Sequence, residues 1–377
     1  MYGSDKVLLN LAQAMSEGGE FVPLVVLHED GPLRTALAAA GVEVHVATVL
    51  KITRAMLTPA APFVLLRQAR AACRDLDRIV AGRTVALVHS NTLAVLGGAV
   101  WACRRRRPHL WHVHEIILKP AAMKRALPWL AERLSARVIS NSSATEAWLL
   151  TQAPRLAGRS TVVFNGLPPL PPPRPSDAAS MRQRIGAADG DVLATVAGRL
   201  NHWKGQGLLI DALALLQREG RLGRLRVAVV GDVFAGHEDI RARLVAQVEA
   251  LQLSETVRFV AFVDDIYAVW RASQIAVVPS TEPEPFGMVA IEAMACGLPV
   301  VAAGHGGLLD IVGHEETGLL FEPRSVRALA DALARLAGEP ELRMRLGQAG
   351  QRRQQEHFSM QRQIERTGDI YRQMVAL

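Results

Sequence analysis

The chain has 377 residues, 50% of them hydrophobic and 21% charged, which excludes a disordered protein and predicts two globular domains rather than one core. Three cysteines without a close pair argue against a disulfide framework or a structural zinc site. No apolar run is long enough to span a membrane and the N-terminus has no signal-peptide pattern, so we expect a soluble cytoplasmic protein. The net charge of +7 comes with 5% aromatic residues and no nucleic-acid motif, which disfavours nucleic acid as a partner.

Helices and strands alternate along the first 168 residues, which predicts a parallel sheet covered on both faces. Such a domain normally opens with a strand, whereas residues 1–5 here run directly into a helix, and we therefore expect the first strand to be encoded upstream of Met1. In chain order the predicted elements are helix Lys6–Ser16, strand Phe21–Leu27, helix Leu33–Ala40, strands Val42–Val46 and Val85–His89, helix Leu93–Cys103, and strands Leu110–Ile117, Arg137–Ser140 and Val162–Phe164.

The excess positive charge lies in this first half. Residues 1–168 contain 20 Lys and Arg against 11 Asp and Glu, while the remainder contains 23 against 25. The run Arg104 to Arg107, with Lys119, Lys124 and Arg125, could attract an anionic acceptor or place the protein peripherally on the anionic inner membrane face. A solvated basic face is the alternative.

A proline-rich stretch, residues 166–175, reads as a stiff linker to a second alternating series. We divide the chain into an N-terminal domain (1–168), a C-terminal domain (169–355) and a final helix (356–377) that packs back on the N-terminal domain. The second series comprises strand Val192–Ala197, helix Leu208–Gln217, strand Arg226–Val230, helix Ile240–Leu251, strand Val257–Val260, helix Ile266–Arg271, strand Ile275–Pro279, a helix after Phe286, and strand Val300–Ala302.

The helix after Phe286 is apolar almost all round and should be buried. It should end at Gly297, since a C-terminal cap glycine with Pro299 just beyond stops a helix. Glu292 is the only charge in its interior. Because an unpaired buried carboxylate is costly, we expect Glu292 to have a fixed partner, either a ligand or a neighbouring arginine.

Further polar groups should meet at the carboxyl ends of the strands in this second domain. Glu284 lies eight residues before Glu292, next to the amides of residues 286–289, which offer a site for an anion. Arg199 and Lys204 combine a planar guanidinium with a compact ammonium, a pair suited to a pyrophosphate, or else simply surface charge. The set indicates a nucleoside diphosphate sugar as ligand.

Several motifs recur in a fixed order along the chain. The second half contains Gly198 to Gly205, Gly231-Asp232, Glu284 to Pro299 with the spacing Glu-x7-Glu, Gly306-Gly307, and Thr317 to Leu320. The first half contains less specific ones: Tyr2 to Asp5, Val88 to Thr92, His112 to Glu115, and Phe164 to Gly166. With these motifs the chain resembles glycosyltransferase family 4, retaining enzymes of the GT-B fold. That fold is α/β, with two Rossmann-like doubly wound parallel-sheet domains facing a central cleft.

The resemblance implies roles for individual residues. Arg199 and Lys204 would neutralise the departing diphosphate. Glu284 would hold hydroxyls of the donor sugar, Glu292 those of the ribose, and His114 would face the reacting sugar. Donor binding is also implied for Gly3, Gly198, Phe286, Gly287, Met288, Val289, Gly306 and Gly307. Since two cations serve the leaving group, no metal or other cofactor is required, and same-face attack leaves no nucleophile to assign.

The implied activity is transfer of a hexose from a nucleotide sugar to a glycan acceptor, lipid-linked or polysaccharide, in cell-envelope or exopolysaccharide biosynthesis. A sugar-nucleotide epimerase of the same fold and a catalytically inactive sugar-nucleotide-binding protein are the alternatives. His112 and His114 also fit satisfied core histidines or a metal pair. The nucleotide base stays open, because base contacts in this fold are largely made by the backbone.

Overall fold

The computed structural model describes residues 3–52, 61–172 and 175–376. The chain divides into two compact units, Met1–Pro168 with Met360–Leu377, and Pro169–Ser359. Within the described ranges, every strand pair of their sheets is parallel, which confirms the predicted α/β class. None of the described helices has both the length and the apolar character needed to cross a membrane.

The described part of the first unit contains two parallel sheets. A two-stranded sheet pairs β1 (Leu24–Leu27) with β2 (Glu43–Val46), and a four-stranded sheet has the order β3 (Val88–Ser90), β4 (His109–Val113), β5 (Arg137–Ser140), β6 (Ser160–Val162). The helices are α1 (Gly3–Glu17), α2 (Pro32–Ala39), α3 (Ala61–Ile79), α4 (Gly97–Arg105), α5 (Ala121–Leu134) and α6 (Ser143–Gln152), joined by the last helix of the chain, α15 (Met360–Val375).

Alternation along β4 gives its sheet a core on each face, because successive side chains of a strand point in opposite directions. Trp111 and Val113 pack with residues of α4, α5 and α6. Leu110 points to the other face, where α1 and α15 supply much of the core. The cluster there consists of Leu11, Met15, Leu110, Ile139, Val163, Ile370, Tyr371 and Met374. The last helix of the chain therefore covers one face of the first unit's sheet.

The second unit is built on a six-stranded sheet of order β12-β11-β10-β7-β8-β9. Its strands are β7 (Val192–Ala197), β8 (Leu225–Val230), β9 (Val257–Val260), β10 (Ile275–Val278), β11 (Val300–Ala303) and β12 (Gly318–Phe321). Its helices are α7 (Pro175–Ile185), α8 (Gln206–Arg218), α9 (Glu238–Ala250), α10 (Ile266–Ala272), α11 (Met288–Ala295), α12 (Leu308–Ile311), α13 (Val326–Gly338) and α14 (Pro340–His357). The strand order reverses between β7 and β10, and doubly wound sheets bind ligands beyond the carboxyl ends of their strands at such a point.

Several predicted boundaries are corrected by the structure. Helix α11 begins at Met288, two residues after Phe286, and Gly287 precedes it with a φ of 120°. Strand β4 ends at Val113 and not at residue 117. Helices α3, α5 and α6 were not predicted, and α1 begins three residues earlier than expected, at Gly3. Residue 2 of the first motif, and residues 173 and 174 of the predicted linker, lie outside the described residues.

Candidate functional site

Four loops follow β7, β8, β10 and β11 in the second unit, and glycines let three pairs of them touch. Gly205 has a φ of 78°, and a Cβ there would lie 1.8 Å from the carbonyl oxygen of Pro279. A Cβ at Gly231 would lie 2.1 Å from the carbonyl oxygen of Gly198. Only a residue without a side chain permits such approaches. The β7 loop is therefore held against both the β8 and the β10 loops.

The loop after β11 is held against the loop after β10 in the same way. The amide of Gly307 donates a hydrogen bond of 2.7 Å to the carbonyl of Glu284. A Cβ at Gly306 would lie 2.5 Å from that carbonyl oxygen, and one at Gly307 would lie 2.6 Å from the Cα atom of Phe286. These contacts fix the backbone immediately before α11.

An ion pair lies among these loops. Lys204 Nζ donates to Glu284 Oε1 at 2.6 Å, and Ser280 Oγ donates to the same oxygen at 2.5 Å. The side chain of Glu284 is 5% exposed and that of Lys204 is 20% exposed. The Asn201 side chain accepts hydrogen bonds from the amides of Trp203 and Lys204, which holds the turn that carries the lysine. Lys204 and Glu284 are therefore brought together, although 80 residues separate them.

Arg199 occupies the same β7 loop. Its guanidinium carbon lies 3.5 Å from the centroid of the Phe234 ring, a cation–π contact, and its carbonyl accepts a hydrogen bond from Gln206 Nε2. Phe234 follows Gly231-Asp232 in the β8 loop and is 43% exposed. Sequence analysis gave no role to Phe234 or Ser280. The signal for Phe234 was an aromatic residue two positions after the Gly231-Asp232 motif.

Glu292 lies inside α11 and is 7% exposed. Burial raises the pKa of the Tyr267 hydroxyl, and the negative charge of Glu292 raises it further. Burial also raises the pKa of the Cys296 thiol to about 11, with a smaller contribution from Glu292. Glu292 is thus a buried acidic group in a largely apolar helix, as predicted.

The remaining predicted residues around the start of α11 differ in exposure. Phe286 is 3% exposed and contacts the edge of Phe358, with ring centroids 6.0 Å apart. Met288 and Val289 form the first turn and are half-buried. Gly287 is buried and is the residue before the helix. The helix therefore begins four residues after Glu284.

His114 belongs to the first unit, directly after β4. Its Nε2 lies 3.1 Å from Asn91 Oδ1, and its ring centroid lies 4.0 Å from that of His112. Burial lowers the pKa of His114 to about 3, with a smaller effect from the charge of His89, so the ring is neutral at neutral pH. Gly3, also in the first unit, is the first residue of α1.

Glu115, next to His114, belongs to the motif His112 to Glu115, but sequence analysis gave it no role of its own. Its carboxylate accepts hydrogen bonds from the Thr92 hydroxyl and from the amide of His114. Burial raises the pKa of this carboxyl group, and these hydrogen bonds oppose the shift. Glu115 therefore ties together the chain segments that follow β3 and β4.

Sequence analysis left His112 and His114 open as satisfied core histidines or as a metal pair. His112 is fully buried, and neither of its ring nitrogens has a hydrogen-bond partner among the described residues, so it is not a satisfied core histidine. Across residues 3–52, 61–172 and 175–376, no three or more His, Cys, Asp or Glu side chains are grouped as a metal site would require.

Both units of the chain match models of known protein families. The model described as glycosyl transferases group 1 matches residues 177–353, and the model described as glycosyltransferase family 4 matches residues 2–169. D-inositol 3-phosphate glycosyltransferases are similar in sequence. The protein from Saccharomonospora viridis is 38% identical over 208 residues, which is 54% of this chain and 48% of the relative; the protein from Frankia alni is 43% identical over 178 residues, 46% of this chain and 43% of the relative. The chain thus spans about half the length of the curated relatives it matches.

The chain is similar to solved structures over nearly its whole length. HepE from Anabaena, in complex with UDP and glucose, has a TM-score of 0.83 and 28% identity over 98% of this chain and 95% of that one. A glycosyltransferase from Rickettsia africae has a TM-score of 0.84 at 19% identity over 98% and 94% of the two chains, a likeness of fold. Both support the same two-domain architecture.

Proposed function

The chain belongs to the family 4-like glycosyltransferases of the GT-B fold, and from this we propose that it is a retaining enzyme whose donor is a uridine diphosphate sugar. Glycosyl transfer is common to the matching family and the curated relatives. The choice of uridine rests on HepE, whose structures contain UDP and UDP-glucose. The observation that carries the proposal is the grouping of Lys204, Glu284 and Ser280 at the strand ends of the second unit.

The proposed mechanism assigns charge neutralisation to Arg199 and Lys204. As the bond between the sugar and the diphosphate breaks, negative charge grows on the leaving diphosphate, and two fixed cations nearby stabilise it. Lys204 contacts Glu284, and it would exchange part of that contact for phosphate oxygens. Glu284 would then accept hydrogen bonds from sugar hydroxyls. The acceptor hydroxyl would attack from the face that the diphosphate leaves and give its proton to an oxygen of the departing diphosphate, which retains the configuration.

Other groups bind without taking part in bond breaking. Glu292 would accept hydrogen bonds from the ribose hydroxyls, and the amides near Gly287 and the loop of Gly306 and Gly307 would line the donor site. His114 would hold the transferred sugar from the first unit, as a neutral hydrogen-bonding group. Because Arg199 and Lys204 supply the positive charge, we propose that no metal is needed, and turnover should persist in excess EDTA.

The acceptor is proposed to be an anionic glycan, lipid-linked or polysaccharide. The support is the excess of Lys and Arg in residues 1–168. Arg104 and Arg105 pair with Asp77, whereas Arg106 and Arg107 are exposed without a pair of that kind among the described residues. The same surface would hold the enzyme at an anionic membrane. Co-sedimentation with vesicles should rise with their anionic lipid content, and indifference to that content would refute membrane binding.

The first experiment is thermal unfolding with UDP, GDP, ADP and dTDP, followed by release of UDP from UDP-sugars. A ligand at 100 times its Kd adds about 2.7 kcal/mol to the free energy of unfolding. We expect UDP alone to stabilise the parent, and Glu292→Ala to lose that gain. Glu255→Ala is the control, since this carboxylate is 94% exposed.

Product analysis separates the alternatives. A transferase forms a glycosylated acceptor, an epimerase converts the nucleotide sugar itself, and an inactive binder is stabilised by UDP without turnover. Stabilisation by GDP or ADP in place of UDP would refute the uridine assignment, and equal stabilisation of the Glu292 variant would refute the role of that carboxylate.

A further inference from the structure

Three histidines form a row on one face of the first unit's four-stranded sheet. His89 lies on β3, His112 on β4 and His114 directly after β4. The ring centroids of His89 and His112 are 5.5 Å apart, and those of His112 and His114 are 4.0 Å apart. The row thus runs from the interior of the sheet face to the strand end that carries His114.

The inner end of the row is fixed by the last helix of the chain. Nδ1 of His89 lies 2.5 Å from the hydroxyl oxygen of Tyr371 on α15. Tyr371 is 8% exposed and packs edge-to-face on Phe21, with ring centroids 5.2 Å apart. Both the ring and the hydroxyl of Tyr371 are therefore held in place, and the hydroxyl in turn orients His89.

The middle of the row is held by packing and not by hydrogen bonds. His112 is fully buried, and its two ring nitrogens have no hydrogen-bond partner among the described residues. Burial lowers the pKa of His89 to about 4 and that of His112 well below its usual value, so the rings are neutral and do not repel one another. Since no hydrogen bond orients His112, its rotamer is set by packing, to which the rings of His89 and His114 contribute.

We propose that Tyr371 is a positioning residue for His114, acting through the rings of His89 and His112. The tyrosine hydroxyl sets the His89 ring, His89 and His112 pack in register, and the outer face of His112 supports the imidazole of His114. Asn91 Oδ1 fixes the other side of His114 by accepting a hydrogen bond from Nε2–H. The proposal rests on the proposed role of His114 in holding the transferred sugar.

The test uses Tyr371→Phe, which removes one hydroxyl and keeps the ring. The full chain is labelled with ¹⁵N-histidine, and the ring nitrogens of His114 are assigned by the loss of their signals in His114→Asn. We expect both ring-nitrogen signals of His114 to move in Tyr371→Phe. The control is Met374→Leu, which alters a 1% exposed residue of the same helix and the same core and leaves the Tyr371 hydroxyl in place.

Kinetics gives the second readout. We expect kcat of Tyr371→Phe to fall about five-fold, the factor that corresponds to one hydrogen bond, with the KM for the UDP-sugar unchanged. Met374→Leu should keep the parent kcat. Combining Tyr371→Phe with His89→Phe should lower kcat no more than the more damaging single substitution does. Both substitutions remove the same hydrogen bond, the one between His89 and Tyr371.

His114 signals that stay in place in Tyr371→Phe, or that move equally in Met374→Leu, would overturn the proposal. The ring signals are read without substrate, so they decide the coupling even if the parent transfers no sugar. The proposed function fails separately, through an inactive parent or through full turnover by His114→Asn.

Discussion

Replacing Lys204 by methionine keeps the aliphatic stem of the side chain and removes its ammonium group. Glu284, 5% exposed, would then keep the Ser280 hydroxyl as donor but lose its cation. Breaking a buried ion pair from one side costs about 3–5 kcal/mol. Because Lys204 is 20% exposed and Ser280 remains, we expect about 2–3 kcal/mol of lost stability in the second unit.

Removing the charge of Glu284 as well should restore most of the lost stability. In Lys204→Met with Glu284→Gln, the amide oxygen still accepts from Ser280 and no charge is buried, so stability should lie within about 1 kcal/mol of the parent. Arg243→Met is the control, because Arg243 and Asp239 are 61% and 63% exposed, and its loss should be unmeasurable.

Hydrogen exchange of peptides from β10 and α11 is the appropriate assay, since the two units need not unfold together. The parent, the two single variants of Lys204 and Glu284, the double variant and the control are compared in one buffer. The reasoning is refuted if Lys204→Met costs less than about 1 kcal/mol, or if the double variant is as unstable as the single one.

Two further predictions concern backbone and protonation. Gly205→Ala should abolish stabilisation by UDP, because its methyl group would lie 1.8 Å from a carbonyl oxygen, whereas Gly220→Ala, with a φ of 67° and no atom within 4 Å, should cost only about 1 kcal/mol of backbone strain. Equal thermal unfolding of the two variants would contradict the loop packing. The first unit should lose stability as the pH falls from 6.5 to 5, because burial lowers the pKa of His89 to about 4 and that of His114 to about 3, so the unfolded chain takes up protons that the folded chain does not. Each such histidine contributes up to about 1.4 kcal/mol per pH unit, partly opposed by Glu115, whose pKa burial raises. Hydrogen exchange of peptides from β3 and β4 measures how the stability of the first unit changes with pH. Stability that does not change with pH would count against neutral buried histidine rings.

The second unit could be predicted from its sequence almost strand by strand. Strands such as β7 and β10 are buried apolar runs of four to six residues, bounded by glycine or by polar residues. The first unit was harder because β3 and β6 have three residues each. Helix α5 was missed, since Pro128 in its interior argues against a helix.

Side-chain partners were beyond the reach of sequence patterns. Lys204 and Glu284 were given separate roles, and only the fold reveals that they form one ion pair. The hydroxyl of Tyr371 bonds to His89, 282 residues away in sequence, and no pattern around either residue indicates this contact. The roles of the predicted site residues stay predictions, because they depend on a donor that binding experiments must supply.

The return of the chain to its first unit has a consequence for synthesis on the ribosome. Leu110 and Ile139 emerge early, but Ile370 and Met374, which cover them, come last. The whole of Pro169–Ser359 is made in between, which takes about 10–40 s at typical translation rates. During that interval only α1, of the two helices that cover this sheet face, has been made, so Leu110 and Ile139 are only partly covered. The second unit therefore has time to fold before α15 completes the core of the first.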